Sequence, residues 1–237
     1  MVTTFGFMSA YTHLFFDLDH TLWDFERNSN ETLADLFEAY QLQQWGDFSV
    51  ADFLNTFSEV NRQLWDLYNH SKIDQRTLRE QRFLRIWKRL GAAGTPPPQL
   101  SEDYLAICPT KPHLLPHARE TLDYLAGRYR LHIITNGFDD IQQTKIHSAG
   151  IGHYFEALVT SQNSGYKKPH RAIFEYALTQ TGASTYNSAM IGDNLETDIG
   201  GARALGLDAI FYNPERIAHD TAVTLEIYCL SELQRHL

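Results

Sequence analysis

The sequence predicts an α/β protein in which an all-helical segment interrupts a doubly wound parallel sheet. Apolar runs of strand type alternate with helical segments from about residue 118 onwards, as in proteins with parallel sheets. Between residues 26 and 101, in contrast, apolar side chains recur only at helical spacing. We therefore expect a core domain formed by residues 8–25 and 109–237, and a helical cap domain formed by residues 26–108.

Composition limits the classes of function and partner. The chain has 237 residues, of which 43% are hydrophobic, and a formal charge of −9 at neutral pH. This acidic balance gives no reason to expect binding to a nucleic-acid polymer or a membrane surface, and no apolar stretch reaches the length of a membrane span. Two cysteines are too few for a disulfide framework, so we expect a cytoplasmic setting. The oligomeric state stays open, and Met8 is an alternative to Met1 as the natural start.

The first predicted strand ends at two acidic residues. Residues 14–16 form an apolar run typical of a buried parallel strand, and Asp17 and Asp19 follow it. Ligands of open α/β sheets bind beyond the carboxyl ends of the strands, and the alternation along a strand turns both carboxylates to one face. Such a pair repels unless a cation lies between its members, and Mg²⁺ prefers oxygen ligands. Taken alone, the pattern from Asp17 to Thr21 fits a solvated turn equally well.

The predicted helical block begins directly after this motif. Apolar side chains recur at intervals of three and four residues around Leu33, Phe53 and Phe83, and the prolines at residues 96–98 end the run. A separate helical bundle would show the same periodicity. Insertion straight after the first strand favours a cap that lies over the site.

The remaining elements alternate regularly and predict a Rossmann-like core. Strands are predicted at 130–134, 157–159, 188–191, 209–212 and 225–227, with helices at 118–125, 139–149, 170–181, 197–205 and 231–236. Strands that alternate with helices form parallel, doubly wound sheets.

Two polar motifs follow these strands or precede their helices. A hydroxyl and free backbone N–H groups at Thr135, Asn136 and Gly137 suit a phosphate oxygen, although this tripeptide is also a common turn. Lys168 precedes Pro169, which suits a first helical turn. A lysine fixed there would offset the charge of carboxylates and a phosphate.

A second acidic motif follows the strand at 188–191. Asp193 lies at the strand tip, and Asp198 lies in the next helix, whose N-terminus also favours an acidic residue. Asn194 directly follows Asp193.

The order of these motifs resembles that of haloacid dehalogenase-like phosphatases with a helical cap after the first motif. The patterns D-x-D-x-T, T-N-G, K-P and G-D-N-x-x-x-D occur in this order between residues 14 and 202. Residues 19–25 and 135–137 are most similar to the pyrimidine 5′-nucleotidase group, whereas residues 162–164 lack an acidic residue that many relatives carry. The resemblance implies a Mg²⁺-dependent phosphomonoesterase whose partner is a small-molecule phosphomonoester, a nucleoside 5′-monophosphate.

The resemblance also implies a role for each motif residue. Asp17 would be the nucleophile that forms an aspartyl-phosphate, and Asp19 would act first as general acid and then as general base. Mg²⁺ would be bound by the Asp17 carboxylate, the Asp19 backbone carbonyl and Asp193. Phosphate oxygens would be bound by Thr21, Thr135, Asn136 and Lys168.

Three further residues receive supporting roles from the resemblance. Asp198 would position Lys168, and Asn194 would assist Asp193. His20 stands where many relatives have glycine, and it either contacts the substrate or fills space.

Other functions remain open to different degrees. A sugar-phosphate phosphatase or phosphomutase shares every core residue and differs in the cap. A 2-haloacid dehalogenase needs neither the metal nor Asp19, because a halide leaving group takes no proton, so Asp19 argues against it. A non-enzymatic binding protein predicts a broken site, whereas every expected polar group is present.

Overall fold

The computed structural model describes residues 11–237, so the alternative start at Met8 lies outside the described residues. Across the described part of the chain, no helix is both long enough and apolar enough to cross a membrane.

The described chain forms two compact units. One comprises the residues up to Asp24 together with Leu114–Leu237, and the other comprises Phe25–His113. The sequence places the return to the core at residue 109, whereas the structure places it after His113. The reason is that the Asn28 side chain binds the backbone oxygen and nitrogen of His113, at 2.8 and 3.1 Å.

The sheet of the first unit is parallel and has six strands, in the order β3-β2-β1-β4-β5-β6. The strands are β1 (His13–Phe16), β2 (Arg130–Thr135), β3 (Phe155–Thr160), β4 (Ser188–Gly192), β5 (Asp208–Tyr212) and β6 (Leu225–Ile227). All residues of β1 are buried, as expected for a central strand with helices on both faces. The predicted α/β fold with a doubly wound parallel sheet is confirmed.

The strand order reverses between β1 and β4. These strands pair in parallel from His13 opposite Ser188 to Phe16 opposite Ile191, and the Asp17 backbone nitrogen donates to the Ile191 oxygen at 2.9 Å. The chain segments that follow both strands therefore leave the sheet side by side. Ligands of doubly wound sheets bind in the crevice at such a reversal.

Within residues 25–113 the structure contains helices and no strand, as the sequence predicts. The four α-helices are α1 (Phe25–Ala39), α2 (Val50–Asn69), α3 (Gln75–Leu90) and α4 (Leu100–Ile107). Aromatic rings of α2, α3 and α4 form the centre of this unit: the Tyr104 ring lies 5.0 Å from that of Phe57 and 5.8 Å from that of Phe83. Aromatic side chains in such contacts account for much of the stability of a small core.

Helices of the sheet unit carry the later motifs. They are α5 (Ala118–Ala126), α6 (Asp139–Ser148), α7 (Ser161–Ser164), α8 (Arg171–Thr181), α9 (Gly201–Leu205) and α10 (Leu233–His236). The helix predicted from residue 170 begins at Arg171, because His170 accepts a hydrogen bond from the Ala172 nitrogen as its N-cap, so Pro169 lies before the first turn. The helix predicted at 197–205 starts earlier, with a π-helical turn over Leu195–Gly200.

Candidate active site

Lys168 connects three of the sequence motifs. Its Nζ atom lies 2.6 Å from Asp17 Oδ1 and 2.7 Å from Asp198 Oδ1, and it donates to the Ile134 backbone oxygen at 2.8 Å. The lysine is only 2% exposed. A buried ammonium held by two carboxylates and a carbonyl has a fixed position and cannot turn towards solvent. The predicted proximity of Asp198 and Lys168 is thus present.

Asn136 holds the backbone of Lys168 rather than pointing its amide outwards. Its Nδ2 atom donates to the Lys168 oxygen at 2.9 Å, and its Oδ1 atom accepts from the Lys168 nitrogen at 2.7 Å. The Ser161 hydroxyl in turn donates to the Asn136 backbone oxygen at 3.2 Å. The sequence assigns Asn136 to phosphate binding, and these two bonds show that its side chain also places the Lys168 backbone.

The side chains of Thr21 and Asn194 also form hydrogen bonds to other groups of the protein. The Thr21 hydroxyl donates to Asp193 Oδ1 at 2.9 Å. Asn194 Oδ1 accepts from the backbone nitrogens of Glu196 and Thr197, at 3.0 and 2.9 Å, and thereby caps the π-helical turn. Thr21 therefore orients Asp193, the task that the sequence assigns to Asn194.

The Asn194 backbone contributes to placing Asp198. Its nitrogen donates to Asp198 Oδ2 at 3.1 Å, so the two oxygens of Asp198 face Asn194 and Lys168. A Cβ atom at Gly192 would overlap the Asp198 side chain, which explains the glycine at the end of β4.

Two residues that sequence reasoning missed, Gln142 and Lys145, hold Asp19. Lys145 Nζ donates to Asp19 Oδ1 at 2.6 Å, and Gln142 Nε2 donates to Asp19 Oδ2 at 2.9 Å. Both side chains are buried, and they lie three residues apart on one face of α6. Long polar residues at inward positions of the helix after Thr135 were the signal that could have identified them.

Thr135 has a hydroxyl proton to donate. Its Oγ1 atom accepts from the Gly137 nitrogen at 3.1 Å and from Gln142 Nε2 at 2.8 Å. A hydroxyl with both lone pairs used can still donate one hydrogen bond. Position 137 needs glycine, because a Cβ atom there would overlap the Gln142 side chain.

The electrostatics of the site favour protons on the clustered carboxylates. Burial and the neighbouring Asp198 and Asp193 raise the pKa of Asp17 to about 8, although Lys168 opposes this shift. Burial and Asp198 likewise raise the pKa of Asp193 to about 7. In both cases an ionised carboxylate lacks the water that normally stabilises it.

The charges of Asp19 and Lys168 are instead stabilised. Burial raises the pKa of Asp19, but the Lys145 ammonium and the hydrogen bonds from Lys145 and Gln142 outweigh it, so the net pKa lies below the usual range. Burial lowers the pKa of Lys168, but Asp17 and Asp198 outweigh it and raise the net value. The site thus combines an ionised Asp19 with a charged Lys168.

The chemistry of the donor set fits a hard divalent cation. One carboxylate oxygen from each of Asp17, Asp193 and Asp198 lies within 4.8 Å of the others. Hard cations take oxygen ligands, and a cation would relieve the repulsion that raises the two pKa values. Because Asp198 faces Lys168 and Asn194, Asp17 and Asp193 are the side chains best placed to hold such an ion.

His20 has a left-handed backbone conformation and an exposed side chain. Its φ angle is 62°, and its backbone nitrogen donates to the Trp23 oxygen at 3.1 Å. A residue other than glycine is strained in this region. The conformation explains why glycine suits this position of the motif.

Comparison with protein-family models assigns residues 11–206, and thus the site just described, to one family: haloacid dehalogenase-like hydrolase. The chain belongs to this family. A curated relative, the pyrimidine 5′-nucleotidase YjjG of Escherichia coli K12, is 33% identical over 94% of this chain and 96% of its own length. The pyrimidine 5′-nucleotidase PynA of Streptococcus pneumoniae is 31% identical over 94% of this chain and 93% of its own.

A solved structure of a haloacid dehalogenase-like hydrolase has the same fold. The putative hydrolase YfnB of Bacillus subtilis, bound to magnesium, matches with a TM-score of 0.86 and 26% identity over 96% of this chain and 98% of that one. The family assignment expected from the motifs is confirmed, and the chain is a hydrolase.

Proposed function

We propose that the chain is a Mg²⁺-dependent phosphomonoesterase that hydrolyses nucleoside 5′-monophosphates through an aspartyl-phosphate on Asp17. One observation carries the proposal: Lys168, Asp17, Asp193 and Asp198 meet at the strand reversal between β1 and β4. Two anionic groups, a carboxylate nucleophile and a phosphate, can approach each other only where positive charge is fixed beside them.

The Asp17 and Asp193 carboxylates, with the Asp19 backbone carbonyl, would hold Mg²⁺. These are hard oxygen ligands, and the raised pKa values of Asp17 and Asp193 reflect burial and repulsion from neighbouring carboxylates that Lys168 alone does not offset. When bound, Mg²⁺ would supply positive charge that reduces the repulsion between Asp17 and the phosphate.

Asp17 would act as the nucleophile. Its oxygen forms a bond to phosphorus while the bond from phosphorus to the ester oxygen breaks, which leaves the phosphoryl group on Asp17. Water then attacks this phosphorus and releases phosphate and the free carboxylate. Lys168, 2.6 Å from Asp17, stabilises the negative charge in both steps.

Asp19 would transfer the protons. It donates one to the departing ester oxygen and afterwards accepts one from the attacking water. Because Lys145 keeps Asp19 ionised in the free enzyme, the first proton arrives with the substrate, since a phosphate monoester has a second pKa of about 6.

Thr135 and Lys168 are the side chains we assign to the phosphate. The Thr135 hydroxyl accepts from Gly137 and Gln142, so its proton can be donated to a phosphate oxygen. Thr21 instead orients the Asp193 carboxylate, and Asn136 holds the backbone of Lys168.

The substrate class rests on similarity to relatives. Relatives that are 33% and 31% identical over 94% of this chain carry the name pyrimidine 5′-nucleotidase. We therefore propose pyrimidine nucleoside monophosphates as the substrates. The leaving group is then the oxygen of the nucleoside ribose.

The test is phosphate release from a panel of nucleoside monophosphates, sugar phosphates and phosphoglycolate, with Mg²⁺ and with a chelator. We expect metal-dependent release that is fastest with pyrimidine nucleotides. Asp17→Asn should abolish release, whereas Asp220→Asn, at an exposed position of the same unit, should not. Fastest release from a sugar phosphate would refute the substrate class alone, and full activity of Asp17→Asn would refute the mechanism.

A further inference from the structure

We propose that Gln142 and Lys145 are positioning residues that fix the Asp19 carboxylate for proton transfer, a role that rests on the function proposed above. Both residues belong to α6, which follows the Thr135 motif in the chain. Neither residue contributes to the sequence motifs that define the family resemblance.

Together the two side chains hold both oxygens of Asp19. The Lys145 ammonium lies 2.6 Å from Oδ1, and the Gln142 amide nitrogen lies 2.9 Å from Oδ2. Two donors on different oxygens fix the plane of a carboxylate, whereas a single donor lets it rotate. Each carboxylate oxygen has a second lone pair, so Asp19 can still exchange a proton with an ester oxygen or a water molecule.

The orientation of the Gln142 amide follows from its two acceptors. Its nitrogen donates to Asp19 Oδ2 at 2.9 Å and to Thr135 Oγ1 at 2.8 Å. Its buried Oε1 atom, in contrast, has no hydrogen-bond partner within residues 11–237. The reversed amide would place an oxygen against the Asp19 carboxylate, so the side chain leaves its own acceptor unsatisfied, which is unfavourable in a protein interior.

Lys145 is equally fixed. It is 5% exposed, and its ammonium lies 4.4 Å from the centre of the Trp23 ring as well as beside Asp19. Contact with an aromatic face stabilises a cation and limits its movement. Burying a lysine and a glutamine on one helix face is unfavourable for folding alone, so their shared contact with Asp19 indicates a role in the reaction.

Gln142 also links proton transfer to phosphate binding. The same amide holds Asp19 and the Thr135 hydroxyl, which we assign to a phosphate oxygen. Proton donor and phosphate are thereby kept at a constant separation, and small errors in such a separation strongly reduce the rate.

The experiment compares two esters that differ in their need for a proton. The alkoxide that leaves from uridine 5′-monophosphate requires protonation, whereas the phenolate that leaves from 2,4-dinitrophenyl phosphate does not. We would measure kcat/KM, which reports the steps up to phosphorylation of Asp17, for Lys145→Met, Gln142→Met and the exposed control Gln143→Met. Thermal unfolding of each variant establishes that it is folded.

We expect kcat/KM for the nucleotide to fall about 100-fold in Lys145→Met and Gln142→Met, and kcat/KM for the dinitrophenyl ester to fall less than about tenfold. Gln143→Met should match the wild type with both esters. Equal losses with the two esters, or no loss with either, would overturn the proposed role of these residues.

A second measurement places the effect on Asp19. If Lys145 acts through Asp19, then adding Lys145→Met to Asp19→Asn should change kcat/KM for the nucleotide by less than about twofold. A full additional loss would refute action through Asp19. A wild-type enzyme inactive with both esters would refute the proposed function, and this role with it, whereas an active wild type with unaffected variants would refute the positioning role alone.

Discussion

Replacement of Asp17 by asparagine should stabilise the metal-free protein at neutral and alkaline pH. Burial and two neighbouring carboxylates raise the pKa of Asp17 from 3.8 to about 8 in the folded state. The folded protein therefore binds a proton more tightly than the unfolded chain does, so this contribution to stability is complete below pH 3.8 and is lost as the pH rises towards 8. The Asp17→Asn variant has no carboxyl group at this position, so its stability should lack this dependence on pH.

The size of this effect follows from the shift. At about 1.36 kcal/mol per pKa unit, a rise from 3.8 to about 8 corresponds to an upper limit of about 6 kcal/mol. We expect roughly 3 kcal/mol at pH 8, because rearrangement of the buried groups and entry of water screen part of the repulsion. For a chain of this size that is a difference in Tm of about 6–12 °C.

The assay is thermal unfolding of the wild type, Asp17→Asn and the exposed control Asp220→Asn, in EDTA, from pH 5 to pH 8. The advantage of Asp17→Asn should grow with pH, and Asp220→Asn should follow the wild type. Saturating Mg²⁺ should stabilise the wild type, by about 2.7 kcal/mol at a concentration 100 times the Kd, and so narrow the gap. A gap that is independent of pH, or a less stable Asp17→Asn, would refute the reasoning.

Three further substitutions test other contacts of the site. Lys168→Met leaves two buried carboxylates without their cation, so we expect a loss of about 3–5 kcal/mol in unfolding free energy and no measurable phosphate release. Lys167→Met is the control, and equal stability and activity of the two variants would contradict the role assigned to Lys168. Gly137→Ala should displace Gln142 and lower kcat about 10–100-fold, with an unchanged kcat as the opposing result. His20→Gly should relieve about 1 kcal/mol of left-handed strain and raise Tm by a few degrees, whereas His20→Ala should not; a lower Tm of the glycine variant would argue against strain.

The sheet and the position of its site could be predicted because both depend on local pattern. A fully apolar run such as residues 14–16 is compatible with a central parallel strand, and a strand end in such a sheet is a ligand position. Asp17, Asp193 and Lys168 follow from these rules together with the resemblance, and the structure brings them together.

The partners of the polar side chains could not be predicted in the same way. Asn136 binds the backbone of Lys168, 32 positions away, and Thr21 binds Asp193, 172 positions away. A motif gives the type of a residue near the site, but which atom it contacts depends on where the tertiary structure brings distant chain segments. Gln142 was missed for a related reason: a glutamine in a helix is expected at the surface, whereas Gln142 is buried.

The most direct test of the central claim is whether a phosphoryl group is found on Asp17. Asp19→Asn should still accept the phosphoryl group from 2,4-dinitrophenyl phosphate, whose leaving group needs no proton, but it should hydrolyse the intermediate slowly, because the base that activates water is missing. After mixing this variant with Mg²⁺ and 2,4-dinitrophenyl phosphate, rapid acid quenching and mass spectrometry of the peptides should show one added phosphoryl group on the peptide that contains Asp17. Absence of the group from that peptide, or its presence on another, while the wild type hydrolyses the same ester, would contradict the proposed mechanism.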